Sequence, residues 1–186
     1  RHDHSTWVRL LEETSVDHTS YHIQEIYPTH EIFALINRLA EYTSQSAFDV
    51  MEQFGEFMVP DLMLLYSKYV DPSWRTYEVL LNTEEAMHGA VRRQDSRANP
   101  PKLLVTKKGE RQLIIDYHSK RRMAGVAIGI IRGIASYFDE SDKIDVMQLT
   151  RHTARQIAQQ IDASAADILA RDVARQRRVQ LLPALD

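Results

Sequence analysis

The 186-residue chain has no cysteine. That excludes disulfides, a thiolate nucleophile, a zinc knuckle and an iron–sulfur cluster, and it fits a reducing compartment. Any metal must therefore be held by His, Met, Tyr or carboxylates. No apolar run approaches the roughly 18–20 residues that a membrane span needs, and there is no secretory hydrophobic segment, so a cytoplasmic location is expected. Internal repeats and low-complexity segments are also missing. The net charge of -3 speaks against a nucleic-acid module. There is no glycine-rich phosphate loop, no nucleophile elbow and no helix carrying a His-x-x-x-His pair. An enzyme would have only scattered carboxylates and histidines to work with, and the chain is read as a non-enzyme.

What is present is enough apolar content, 44%, to build one core in a chain of single-domain length. The chain opens at Arg1, which predicts that its first element begins before the sequence does. Ile32, Phe33, Leu35, Ile36 and Leu39 recur at helical spacing, with Thr29 expected as the N-cap. Ser44 is expected to cap a second helix carrying Phe48, Val50, Met51, Phe54 and Phe57. Pro60 should break or kink it, leaving Leu62 to Val70 as a further short helix. After the Asp71-Pro72-Ser73 turn, a helix is predicted from about Trp74 to Arg93, closed by Asn99-Pro100-Pro101. Leu103–Thr106 and Gln112–Tyr117 then read as strands of a hairpin. Met123–Phe138 is long and apolar with many small residues, which predicts a buried helix approached closely by another group. Ile144–Leu149 reads as a third strand, Gln156–Ala163 as either a fourth strand or a helix start, and Ala165–Arg178 as helical. The fold class is α+β: an N-terminal helical subdomain packed on a C-terminal antiparallel sheet plus one long helix. Residues 1–163 form the domain and 164–186 a helical tail or linker.

Of the eight histidines, His2, His4, His18, His22 and His30 read as a dispersed surface set, and His118 and His152 as exposed strand or turn residues. His88 differs, since its helix sets it among Tyr77, Leu80, Leu81, Met87 and Val91. It is either a hydrogen-bonded core histidine or a ligand. A second constellation is Tyr117-His118-Ser119-Lys120-Arg121. If strand geometry persists to Arg121, alternation puts Tyr117, Ser119 and Arg121 on one face, a set of donors suited to carboxylates. The alternative is a solvated strand end. An apolar pocket with one histidine on its wall and carboxylate-binding donors at its rim is what haem demands.

Together these residues resemble the haem–nitric oxide/oxygen binding (H-NOX) domain family, related to the sensor domain of soluble guanylate cyclase. Tyr117-x-Ser119-x-Arg121 matches that family's Y-x-S-x-R signature at every defined position. His88 falls where the family places its proximal iron ligand, with Pro100-Pro101 after the expected interval. Tyr27-Pro28 and the Phe48–Phe57 helix are similar to their counterparts, and the likeness covers roughly residues 5–150. The resemblance implies haem b (iron protoporphyrin IX) ligated by His88, with its propionates on Tyr117, Ser119 and Arg121. It implies Pro101 pressing on the porphyrin, and Leu81, Val126 and Ile130 as apolar walls. Val126 stands where oxygen-binding members keep a distal tyrosine, which implies a preference for NO and CO over oxygen. The function so implied is a gas sensor whose output goes to a partner such as a histidine kinase or a cyclic-nucleotide enzyme. The alternative is a haem-free H-NOX-like structural or protein-interaction module. Glu84, one turn before His88, sits where an apolar residue is expected, and the stretch after Thr150 departs from the family's final strands.

Overall fold

The computed structural model describes residues 4–22, 25–109, 112–149 and 177–183. In chain order it forms α1 (His4–Thr14), α2 (Thr29–Thr43), α3 (Ala47–Leu65), α4 (Thr76–Thr83), α5 (Gly89–Gln94), β1 (Lys102–Lys108), β2 (Gln112–His118), α6 (Ala124–Tyr137), β3 (Ile144–Leu149) and β4 (Arg177–Pro183). A 3-10 turn at Ser67–Tyr69 follows α3, and a π turn at Glu84–His88 joins α4 to α5. The α+β class expected from the sequence is the one observed.

The helix boundaries follow capping chemistry. Thr29 is the first residue of α2 rather than its cap, a position held by Pro28. The cap of α3 is Ser46, not Ser44: the Ser46 hydroxyl accepts the Asp49 N–H at 3.1 Å, and the Asp49 carboxylate accepts the Ser46 N–H at 3.2 Å. Only Ser46 has an acid three residues ahead, so only it can close this reciprocal box. Ser44 instead ends α2 in the left-handed conformation, φ 53°. Pro60 does not interrupt α3. Val59 and Met63, on either side of it, are anchored in the core, and that packing offsets the hydrogen bond the proline cannot make. The helix expected over Leu62–Val70 is therefore the end of α3 plus the 3-10 turn.

α3 and α6 meet backbone to backbone. Gly125, Gly129 and Gly133 recur every fourth residue and so line one face of α6. A Cβ on Gly129 would lie 1.9 Å from Glu52 O, and one on Gly55 of α3 would lie 2.2 Å from Val126 O. The small residues of α6 thus admit another helix. The main core gathers Val59 and Met63 of α3, Val79 and Leu80 of α4, Leu113 and Ile115 of β2, and Ile128, Ile131 and Ile134 of α6. A second cluster joins Ile36 and Ala40 of α2 to Val50 and Met51 of α3. By contrast α1 buries only Leu10.

The sheet is antiparallel in the order β1-β2-β4-β3. Residues 177–183, expected within a helical tail or linker, form the strand β4 between β2 and β3. Each neighbour offers a row of unpaired backbone groups, and pairing with both outweighs the local helical tendency read across Arg177 and Arg178. The expectations for Gln156–Ala163 and for residues 164–176 lie outside the described residues. Among the described residues, no helix is long and apolar enough to cross a membrane.

Candidate functional site

The N-terminus of α4 is fixed by two carboxylates: Glu140 accepts the Thr76 N–H at 3.2 Å and Glu78 the Arg75 N–H at 3.1 Å. The helix expected as continuous to Arg93 then changes pitch. At the π turn the Gly89 N–H reaches back five residues to Glu84 O, and the extra residue resets the direction of the side chains beyond it. His88 closes this turn.

Its ring is held by Glu84. His88 Nδ1 lies 3.0 Å from Glu84 Oε2, and both side chains are largely buried, 17% and 21% exposed. The same Oε2 accepts the Leu103 N–H at 2.9 Å, and Oε1 accepts from Arg92 Nη2 at 2.8 Å. Burial pushes the Glu84 carboxyl upward, but the hydrogen bonds from Leu103, His88 and Arg92 outweigh it and hold it below its ordinary value. An ionised carboxylate facing Nδ1 favours a proton on that nitrogen. Nε2, which makes no hydrogen bond among the described residues, is left as the ring's open lone pair.

Leu103 in turn pairs across the sheet with Tyr117. The structure therefore brings His88, Glu84, the start of β1 and Tyr117 into one connected neighbourhood. Strand alternation does not continue to Arg121: β2 ends at His118, and Ser119–Arg122 turns, with Ser119 Oγ accepting the Arg121 N–H at 3.2 Å. Arg122 takes a left-handed conformation there, φ 55°. Arg121 donates from Nη2 to Asn99 O, the residue before Pro100-Pro101. Pro101 itself is half-buried immediately before β1. Tyr117, Ser119 and Arg121 thus sit at one strand end and the turn beyond it.

The apolar residues are distributed more widely. Leu81 and Ile130 pack on the main core, together with Met87, whereas Val126 packs on the α2–α3 cluster. The backbone at Val126 and Ile130 lies against Gly55.

One histidine departs from the dispersed surface set expected of them. Glu31 is fully buried, with His18 Nδ1 at 2.7 Å from one oxygen and the Tyr21 hydroxyl donating at 2.7 Å to the other. Tyr27 packs edge-on to both rings, 4.9 Å from His18 and 4.7 Å from Tyr21. His18 is thus not one more member of a dispersed surface set. An acid on the inner face of α2 was the available signal. Among the described residues, no three or more His, Asp and Glu gather as a metal site.

The donor set fits haem in its chemistry. One sheltered imidazole has its Nδ1 occupied and its Nε2 open, and a phenol, a hydroxyl and a guanidinium lie at the adjoining strand end, with the Tyr117 hydroxyl unpartnered among the described residues.

The Haem-NO-binding family model matches residues 1–146. No curated protein gives a match. Among solved structures, the chain is similar to an H-NOX protein from S. oneidensis in the Fe(II)NO ligation state, at 20% identity and TM-score 0.77, over 97% of this chain and 89% of that one. It is similar also to the Fe(II) unliganded H-NOX protein from K. algicida, at 15% identity and TM-score 0.70, over 98% and 95%. A mutant of the T. tengcongensis H-NOX aligns at 16% identity and TM-score 0.71, over 96% and 87%.

Proposed function

Because the chain belongs to the Haem-NO-binding family, whose members are haem-based gas-sensor modules, we propose that it senses nitric oxide, and CO, at a ferrous haem b held by His88. The observation that carries this reading is the state of the His88 ring, sheltered, tethered through Nδ1 and open at Nε2. That is the presentation an imidazole holding an iron would need. Tyr117, Ser119 and Arg121 would hold the propionates, with Arg121 steadied by Asn99 O. Pro101 would press on the porphyrin, and Leu81, Val126 and Ile130 would supply apolar wall. When bound, the haem would supply an iron able to take a diatomic gas. Val126 has no donor to offer a bound gas, which supports selection of NO and CO over oxygen.

The protein's part is mechanical rather than catalytic. His88 sits on a π turn between two short helices, an irregularity of the kind found at functional sites. A change in the force on the ring is passed to α4, α5 and β1. Output would pass to a partner protein, such as a histidine kinase or a cyclic-nucleotide enzyme. The outer face of α3, with Phe57 70% and Leu64 77% exposed, supplies an apolar surface of the kind partners use.

The test is an absorption spectrum of the reduced protein before and after NO. A Soret band that shifts with NO, and that His88→Ala abolishes, is the expected result. An unchanged spectrum in His88→Ala would sink the assignment of the ligand. A protein that stays colourless after hemin is supplied would be the haem-free interaction module.

A further inference from the structure

We propose that Glu84 is a positioning residue for His88, fixing its tautomer and tying it to the first strand of the sheet; as a statement about an iron ligand this rests on the function proposed above. An acid among Leu80, Leu81 and Met87 demands an explanation, since a carboxylate out of water is costly unless its oxygens are satisfied. Here each is. Oε1 takes the exposed Arg92, while Oε2 takes both His88 Nδ1 and the Leu103 N–H. A role confined to neutralising Arg92 would use one oxygen and leave the other idle.

The geometry permits one neutral form of the ring. A bare Nδ1 at 3.0 Å from Oε2 would set two lone pairs against each other. The proton therefore sits on Nδ1, and Nε2 carries the lone pair. Swinging the carboxylate away to allow the other form would cost its hydrogen bond to a backbone N–H of β1, whose register is fixed by pairing Leu103 with Tyr117. An acceptor of full negative charge behind an imidazole raises the donor strength of the far nitrogen. It also makes a clamp: His88 cannot move outward without breaking its bond to Glu84 or drawing on the start of β1 beside Pro101.

Two measurements test this, one of them independent of haem. In the haem-free wild-type protein, nitrogen-15 NMR of the imidazoles should show His88 protonated at Nδ1 and bare at Nε2 when neutral. A predominant Nε2–H form would overturn the proposal, and the measurement stands even for a chain that takes no haem. In the haem-loaded, reduced protein, Glu84→Gln keeps an oxygen for Leu103 but removes the charge, and Glu84→Leu removes both. The iron–histidine stretching band should fall in frequency in both variants. Haem transfer to apomyoglobin should quicken by roughly 10–100-fold, and NO should displace the imidazole from a larger fraction of molecules. A stretching band at the wild-type frequency in Glu84→Gln would overturn the proposal while leaving His88 as ligand. A wild-type spectrum in His88→Ala would overturn the ligand assignment while leaving the tautomer to be read by NMR.

Discussion

Replacing Gly129 with alanine puts one methyl group where α6 touches the backbone of α3. That carbon would lie 1.9 Å from Glu52 O and 2.7 Å from the Glu52 carbonyl carbon, against the roughly 3.5–4.0 Å at which carbon contacts become favourable. The obstacle is main chain and cannot rotate aside, so the two helices must part by more than an ångström or bend. Overpacking of this kind costs typically about 1–3 kcal/mol, and a backbone obstacle belongs at the upper end. The better helix propensity of alanine returns about 0.5–1 kcal/mol, leaving a net loss of roughly 2 kcal/mol or more. For a chain of this size that lowers Tm by about 4–8 °C, at about 2–4 °C per kcal/mol. Gly89→Ala is the matched control. Its Cβ would meet only the tip of the Arg93 side chain at 3.1 Å and Glu84 O at 3.7 Å, so the propensity gain should survive, and the variant should be more stable by up to about 1 kcal/mol. Urea unfolding followed by far-UV circular dichroism measures both. A Gly129→Ala protein as stable as wild type, or less perturbed than Gly89→Ala, would refute the reading of the α3–α6 contact.

Leu113 is fully buried in the main core, so Leu113→Ala should cost about 2–5 kcal/mol, and a urea midpoint within error of wild type would contradict that. Acid should weaken the fold before it unfolds it. The Tyr42 hydroxyl, Arg9 and Arg38 hold Glu13 at about 2, and Tyr21 and His18 hold Glu31 low against the opposing effect of burial. Because these folded-state values lie below the unfolded ones, their stabilisation is complete above the ordinary carboxylate range and is lost as pH falls through it toward 2. A pH series of thermal melts should show Tm declining below about pH 4.5, and Glu13→Gln and Glu31→Gln should each flatten the decline. In hydrogen exchange α1, whose sole buried residue is worth about 1.5–3 kcal/mol, should open far more readily than α6, which buries eight. Equal protection in the two helices would refute that ranking.

The elements legible in the sequence were those whose periodicity and burial agree. The apolar repeat of α2 and the small-residue spacing of α6 both match what packs inside. Tyr117, Ser119, Arg121 and His88 stood out because their chemistry is unusual for their surroundings. What escaped depended on contacts distant in sequence. Pro60 stays helical because Val59 and Met63 are held by other elements, and residues 177–183 become a strand because two edges wait for them. Glu31, an acid on the inner face of α2, marked a buried polar group but not its partners His18 and Tyr21, since a turn and the start of α2 separate them. The π turn is invisible to any uniform helical period, and of the partners that satisfy Glu84, Leu103 comes nineteen residues later.

Those distant contacts also decide which parts of the proposed sensor can move. Val126 and Ile130 are fixed to α3 through backbone contacts at Gly55, which leave no slack. His88 stands on a π turn and is restrained by hydrogen bonds, which can be exchanged one at a time. A changed pull on the imidazole would therefore be taken up by α4, α5 and the start of β1, while the α3–α6 pair stays still. From β1 the register runs through Tyr117 to Arg177 of β4, so the sheet is tied to His88 alongside α4 and α5.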